Sequence, residues 1–347
     1  GKVFTLAHPI QAIDAAGKMI RAFRSDDYAR AVDIALRSRE HYGLGEVAGL
    51  DLTHYDDPDL MAREEHMVSR IAEAVPGIPA SNRAYVTYLN IARAQMFDAM
   101  VEGYPGKISV ETAKDIAREV NIATGRGAFG KYSTAVPLLN KVFWAPRLYV
   151  ANMQQLLAPL RFGVYGQNID PYVRKAMAKT YAKYLIGMAA GYSVAALAGA
   201  DIEDDPRSSD FGKIRDGQTR IDPLGGLSQT AVLVSRLGTG ESKSLKTGEV
   251  YPLDGMNSED SIVMRFLRSK LTPVLGAAWN VKTGENIIGE EVTPLSAVRD
   301  LAIPLTFQDI YEVFRDEGYS KAAAIGILST FGFGIQHHSE RKDDDDE

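Results

Sequence analysis

Apolar and polar residues along most of the chain follow the 3.6-residue period of amphipathic α-helices. The stretch from His8 to Phe23 is typical, and its apolar residues recur at helical spacing: Ile10, Ile13, Ala16, Ile20 and Phe23. Ser25, Ser81 and Ser109 can each cap a helix, because a serine hydroxyl accepts a hydrogen bond from a free helical N–H. The pattern predicts helices over residues 8–23, 28–38, 57–75, 81–102 and 110–123.

Prolines interrupt the apolar region that follows, from Thr134 to Leu160. Proline removes an i→i−4 hydrogen bond, so this region predicts short or kinked helices. Its prolines are Pro137, Pro146 and Pro159. Pro171 opens a long helix that continues to Ala200, and further helices are predicted over 227–237, 258–280, 295–317 and 320–331.

One segment departs from the helical pattern. Residues 213–221 read as two short strands around Asp216-Gly217, a pair that supplies the two positive-φ residues of a type I′ turn. The predicted fold is therefore all-α, a multi-helix domain with one small β-hairpin insertion near residues 211–221. Its predicted parts are an N-terminal helical subdomain (1–125), central apolar helices (126–204), a β-hairpin segment (205–226), a C-terminal helical subdomain (227–336) and an acidic disordered tail (337–347).

Composition narrows the classes of function. The 347 residues are 45% hydrophobic and 24% charged, as in ordinary globular proteins, and the net charge of −6 argues against a dedicated nucleic-acid coat. There is no cysteine, which excludes disulfides, thiolate metal sites and cysteine nucleophiles. A start at Gly1 without a basic-then-apolar leader is expected of a piece of a longer polypeptide.

The stretch Gly125–Lys131, GRGAFGK, matches two nucleotide-binding motifs by its letters. Both motifs require a strand that delivers the glycine turn to a helix, whereas the residues before Gly125 have the period of a helix. A phosphate loop also ends in Ser or Thr, where this chain has Tyr132. We therefore interpret Gly125 as a helix C-cap and Gly127 and Gly130 as a flexible connection. An NTPase function would require a strand before the loop.

No other motif indicates catalysis. The six histidines form no H-E-x-x-H, and no G-x-S-x-G occurs. Arg63-Glu64-Glu65-His66 places acids beside an imidazole, but adjacent residues do not share a helix face. The sequence therefore predicts no catalytic residue, no cofactor and no metal ligand.

Two stretches invite a functional interpretation. Asp205–Arg215 and the strand after it carry basic side chains that could form a docking or phosphate-contact surface: Arg207, Lys213, Arg215 and Arg220. The alternative is a hairpin held together by its own alternating charges. In the uncharged stretch 184–200, small residues favour close helix packing: Gly187, Gly191, Ala195 and Gly199. A membrane-active segment is its alternative, and residues 322–335 have a similar composition.

Several longer stretches together resemble a known family, the large polyvalent protein-associated domains of giant bacteriophage and mobile-element proteins. They are ATGRG (123–127), LLNKVFWAPRL (138–148), DPRSSDFGKIR (205–215), TRIDPLGG (219–226) and RFLRSKLTP (265–273). The resemblance covers about His8 to Gln336, and its most specific parts are the stretches at 205–215 and 219–226. It assigns no catalytic residue.

The resemblance implies a non-catalytic virion protein of the internal or ejection type. Such a protein assembles as a homo-oligomer with other virion proteins at the portal or tail, and it is delivered with the DNA into the host cell. DNA contact and transient membrane contact are left open. The alternative is a scaffold or adaptor in a host-delivered polypeptide whose enzymatic domains lie outside this segment.

Overall fold

The computed structural model describes residues 1–54, 78–143, 145–163, 168–245, 247–253, 262–284, 292–293, 318 and 333–337. The chain forms two compact units, each built from parts that are distant in sequence. The first unit comprises residues 1–189 and 267–302, and the second comprises 190–266 and 303–347. The division into five segments drawn from composition stays a prediction.

The fold is mainly α-helical with a small β insertion, as the sequence predicts. The described ranges contain thirteen α-helices: α1 Lys2–Ala7, α2 Pro9–Arg24, α3 Asp26–Arg37, α4 Tyr42–Ala48, α5 Ile78–Glu102, α6 Val110–Ala123, α7 Val136–Val142, α8 Pro146–Leu156, α9 Ala158–Phe162, α10 Pro171–Leu197, α11 Gly226–Thr239, α12 Ile262–Arg268 and α13 Pro273–Thr283. A 3-10 helix, Gly130–Ala135, precedes α7. The proline-rich region does break into short helices, each beginning at or next to a proline.

Helix α5 is the centre of the first unit. It packs against α2, α3 and α6, and α6 in turn packs against α4 and α8. Nearly every side of α5 is buried, which is the pattern of a helix surrounded by others. Its apolar residues Val86, Leu89, Ala92 and Phe97 are buried, and so is Arg93.

Serine caps set two of the helix starts as predicted. The Ser25 hydroxyl accepts from the Tyr28 N–H at 3.2 Å, and the Ser109 hydroxyl accepts from the Thr112 N–H at 3.0 Å. Helix α5 begins at Ile78, before the predicted cap. The helix predicted over 258–280 is two helices, with a break before Pro273. The predictions at 57–75, 295–317, 320–331 and 338–347 lie outside the described residues.

Helix α2 exposes most of the apolar residues that predict it, and of those five residues only Ala16 is buried. Ile10 is 80% exposed and Ile13 is 70% exposed, whereas the buried side consists mainly of alanines. The buried residues are Ala12, Ala15, Ala16, Met19 and Ala22. The small side chains of this buried side let α2 approach α5 closely. The isoleucines lie on the opposite side of α2 and are exposed to solvent.

The predicted hairpin is real but forms part of a larger sheet. Its antiparallel order is β1 (Asp201–Ile202), β2 (Ile214–Asp216), β3 (Thr219–Asp222) and β6 (Gly334–His337), while β4 (Glu241–Lys243) pairs with β5 (Val250–Pro252). Asp216 pairs with Thr219, so the two turn residues are Gly217 and Gln218. Only Gly217 among these has a positive φ, +58°. The predicted Asp-Gly type I′ turn is therefore wrong by one residue.

Strand β6 corrects the prediction at the end of the chain. Gly334 and Ile335 were assigned to an apolar helix-like stretch and His337 to a disordered tail, yet all three lie in a strand that pairs with β3. Ile335 lies opposite Ile221 and is buried. The short apolar run was ambiguous between helix and strand, and pairing with a distant strand decided the outcome.

Candidate functional site: the glycine loop and a cationic cavity

The glycine loop, Gly125–Lys131, connects α6 to the 3-10 helix. It follows a helix, so the strand–turn–helix arrangement required by both nucleotide motifs is absent from residues 110–135. The helix end is where the sequence predicts it, but the C-cap residue is Thr124, and Gly125 follows it with a φ of +100°. The backbone conformation of the loop is therefore that of a helix C-terminus.

Close backbone contacts fix Gly127, so its interpretation as part of a flexible connection is wrong. Its N–H donates to the carbonyl oxygen of Arg147 at 3.0 Å. A Cβ atom at Gly127 would meet the backbone nitrogen of Ala151 and lie 2.6 Å from the Arg147 oxygen. Glycine is present because the backbones of the loop and α8 touch at this point.

The residues on either side of Gly127 are held as well. The Arg126 N–H donates to the carbonyl oxygen of Asn121 at 2.7 Å. Gln154 of α8 binds both backbone groups of Ala128, accepting from the N–H at 3.1 Å and donating to the oxygen at 2.9 Å. The backbones of three consecutive residues of the loop are thus held by hydrogen bonds.

A cavity of about 280 Å³ lies beside this loop in the first unit. Its walls come from the end of α4, one face of α6, the loop, the 3-10 helix and the start of α8. The charged side chains among its lining residues are four cations and one carboxylate: Lys114, Arg118, Arg126, Arg147 and Asp51. The cavity therefore carries an excess of positive charge.

Asp51 holds two of these arginines. Its Oδ2 atom lies 3.1 Å from Nη1 of Arg147 and 3.5 Å from Nη1 of Arg126. The backbone of Asp51 is fixed in turn, because its N–H donates to Asn121 Oδ1 at 3.0 Å and its carbonyl accepts from buried Arg93 at 2.9 Å. The two guanidinium groups accordingly converge on one point of the cavity wall.

The other two cations differ in their neighbours. Arg118 contacts Asp115 at 2.9 Å and Glu119 at 3.1 Å. Glu119 is fully buried, and Arg161 donates to both of its carboxylate oxygens at 2.7 Å. Lys114 is exposed and forms no ion pair within the part of the chain that the structure describes. Among the described residues, Lys114 thus supplies charge that no carboxylate neutralises.

Three of the four predicted docking side chains meet at one carboxylate in the second unit. Asp210, only 2% exposed, accepts from Lys213 Nζ at 2.9 Å, from Arg220 Nε at 2.7 Å and from Arg215 Nη2 at 3.2 Å. Lys213 also donates to Gln336 of β6 at 2.7 Å. Burial raises the pKa of Asp210, but the ion pairs with Lys213 and Arg220 lower that pKa by more.

Arg207, the fourth of these side chains, pairs separately. It donates to Asp205 at 3.0 Å and to Glu241 at 2.7 Å, and its contacts with Asp205 lower the pKa of that carboxyl to about 2. All four basic side chains are therefore engaged with carboxylates of the second unit, as the self-held hairpin alternative expects. Their role in docking a partner stays a prediction.

The small residues of α10 have different surroundings. A Cβ atom at Gly187 would lie 3.2 Å from both Cβ and the carbonyl oxygen of Leu6, so this glycine is in close contact with α1. Nothing lies within 4 Å of such an atom at Gly191. Gly199 has a φ of +83° just after the helix end, and Ala195 is on the helix. Among the described residues, no helix has both the length and the apolar character of a membrane span.

A matched pair of substitutions tests the packing at Gly187. Gly187→Leu is expected to destabilise the first unit by about 1–3 kcal/mol, because it overpacks the contact with Leu6. Gly191→Leu is expected to be neutral or stabilising by up to about 0.8 kcal/mol, because it gains helix propensity in open space. Urea unfolding measures both, and equal effects would contradict the contact.

The first unit also contains a hydrogen-bonded chain of titratable side chains that no sequence motif marks. The Tyr42 hydroxyl donates to Glu46 at 2.9 Å and lies 3.1 Å from His54 Nε2, and His54 Nδ1 lies 3.4 Å from Asp33. Burial and the bond to Glu46 raise the pKa of Tyr42, so its phenol is protonated at neutral pH and is not an activated nucleophile. In the described ranges, no group of three or more acids and histidines is placed to bind a metal ion.

The segments that carry the family resemblance meet in the structure. In the first unit the 123–127 segment contacts the 138–148 segment through Gly127 and Arg147, and Val142 accepts from Thr272 at 2.9 Å. In the second unit the other two segments form the sheet around Asp210. No protein-family model, no curated protein and no solved structure matches the chain. The resemblance itself therefore stays a prediction.

Proposed function

We propose that the chain is a non-catalytic structural protein of a phage virion, of the internal or ejection type, that assembles from copies of itself. The proposal combines the family resemblance with one observation, the exposed apolar face of α2. In this account the protein assembles with virion proteins at the portal or tail and enters the host cell with the DNA.

The α2 face has the spacing of a helix–helix seam. Ile10, Ile13, Gly17 and Ile20 are separated by three, four and three residues, so they lie along one side of the helix. All four are exposed, and among the described residues no atom outside the neighbouring backbone of α2 lies within 4 Å of a Cβ placed at Gly17. An exposed stripe of isoleucines of this kind is typical of a contact surface.

Gly17 indicates a second copy of the same helix as the partner. Glycine inside an exposed helix costs about 1 kcal/mol relative to alanine, and close approach of another helix offsets that cost. Ile13 and Ile20 lie on either side of Gly17, so two α2 helices that cross at Gly17 present the same residues to each other. Such a self-complementary face is suited to a two-fold interface.

Substitution of the seam tests the assembly. Ile13→Asp is expected to convert the wild-type oligomer to a monomer in sedimentation velocity, because a carboxylate in the seam must be desolvated. Ile186→Asp is the matched control, since Ile186 is an isoleucine of similar exposure, 69%, on α10. Gly17→Leu should weaken assembly while raising helix propensity, which separates loss of contact from loss of folding.

A monomeric wild type at all accessible concentrations would contradict self-assembly through α2. It would favour the alternative, a scaffold or adaptor within a host-delivered polypeptide. Equal loss of assembly in Ile13→Asp and Ile186→Asp would also contradict the assignment of the seam to α2.

A further inference from the structure

We propose that the cavity beside the glycine loop binds a phosphate group, carried by a nucleotide or by a nucleic-acid strand. This inference does not depend on the proposed assembly. It rests on the charge of the cavity, on the fixed positions of the groups that line it and on its size.

The charge of the cavity selects an anion. Arg126 and Arg147 already face a carboxylate oxygen of Asp51, at 3.5 and 3.1 Å. Lys114 lines the same space without a carboxylate of its own in the described ranges. A tetrahedral phosphate offers several acceptor oxygens to such groups, and planar guanidinium groups bind phosphate oxygens in pairs.

The lining groups are held in place in advance. Gly127 is in contact with the α8 backbone, which fixes the backbone at Arg126 and Arg147, and Asp51 holds the two guanidinium groups. Gln154 fixes the next residue, Ala128, through two hydrogen bonds. Preorganisation lowers the entropy lost on binding, so even a small anion can bind with useful affinity.

The size of the cavity suits the phosphorylated end of a small ligand. Its volume, about 280 Å³, is close to the lower limit of roughly 300 Å³ for ligand pockets. The nucleotide motifs are not the basis of this site. Lys131, which the phosphate-loop motif would use, lies 5.2 Å from the centroid of the Tyr132 ring and does not line the cavity.

Calorimetric titration tests the proposal with the whole chain. The probes are inorganic phosphate, AMP, and a short DNA strand with either a 5′-phosphate or a 5′-hydroxyl. We expect the wild type to bind at least one phosphate probe, with an affinity that falls as NaCl is raised. Preference for the phosphorylated strand identifies a nucleic-acid end, and preference for AMP identifies a nucleotide.

Two variants, one that removes a positive charge and one that removes a negative charge, distinguish loss of a binding site from misfolding. Arg147→Gln is expected to weaken phosphate binding about tenfold, since it removes a charge-assisted hydrogen bond. Asp51→Asn is expected to strengthen binding, because it removes the resident negative charge. Lys107→Gln is the control, an exposed lysine outside the cavity, and it should leave binding unchanged.

Two results would overturn the proposal. One is absence of binding for every phosphate probe by folded wild-type protein at low salt. The other is binding that changes in Lys107→Gln as much as in Arg147→Gln, or that weakens in Asp51→Asn, since either pattern reports general charge or general damage.

Discussion

Gly127→Ala is expected to destabilise the first unit by about 3 kcal/mol, the largest effect of any single methyl group considered for the chain. The added Cβ atom would lie 2.6 Å from the Arg147 carbonyl oxygen and 2.8 Å from the carbonyl carbon of Val150. These are backbone atoms of α8, so no side chain can rotate away and the loop must separate from the helix. The hydrogen bond from Gly127 to Arg147 is then lost as well.

Gly130→Ala is the control in the same loop. Gly130 has a φ of +54° but open space where a Cβ would lie, so alanine there costs about 1 kcal/mol of backbone strain. Urea unfolding of both variants, followed by circular dichroism, gives the comparison. If Gly130→Ala is the more destabilising of the two, the contact between the loop and α8 is wrong.

Asp210→Asn is expected to destabilise the second unit by about 3 kcal/mol. The substitution removes the one carboxylate shared by Lys213, Arg215 and Arg220 and leaves three like charges close together. Hydrogen exchange of the backbone amides over residues 201–222 measures the effect locally. Asp201→Asn is the control: Asp201 is 71% exposed, contacts Arg215 at 3.6 Å and should change the stability by less than about 1 kcal/mol.

The same carboxylate gives a pH dependence of known sign. Because the pKa of Asp210 is lowered in the folded protein, its ion pairs stabilise the second unit above the unfolded value of about 4. That stability is lost as the pH falls from about 4 through the folded pKa. Acid should therefore open the 201–222 region in the wild type, and Asp210→Asn should show a weaker dependence below pH of about 4. An unchanged pH profile in the variant would contradict the role of Asp210.

Local signals predicted the parts of the fold that neighbouring residues control. Ser25 and Ser109 accept the capping hydrogen bonds that their positions suggested, and Gly125 has the positive φ of a residue after a helix end. Prolines broke the region from Pro137 to Pro159 into short helices as expected. These features depend on contacts within one helical turn, which a sequence pattern contains.

The structural features that were not predicted from the sequence depend on pairing between strands. Strand β6 exists because Ile335 pairs with Ile221, more than a hundred residues earlier in the chain, and local pattern does not record such partners. The hairpin turn differed from the prediction by one residue, because pairing of Asp216 with Thr219 left Gly217 and Gln218 as the turn residues.

The sequence did not predict the cavity either, because the cavity also depends on contacts between distant segments. Asp51, Lys114 and Arg147 come from three separate segments, and no spacing rule connects them. The glycine loop drew attention through two motifs that lack their structural context, yet the loop does line the cavity. The nucleotide motifs therefore do not describe this loop, and the phosphate site proposed beside it rests on the cavity's charged side chains instead.

The most direct test of the proposed function is mass spectrometry of purified particles of the phage that, under this proposal, encodes the chain. Peptides are mapped along residues 1–347 and quantified against a known capsid component. The account predicts abundant peptides from residues 1–347, at many copies per particle. Absence of these peptides from the particles, with expression inside infected cells, would contradict the virion assignment and favour the scaffold alternative.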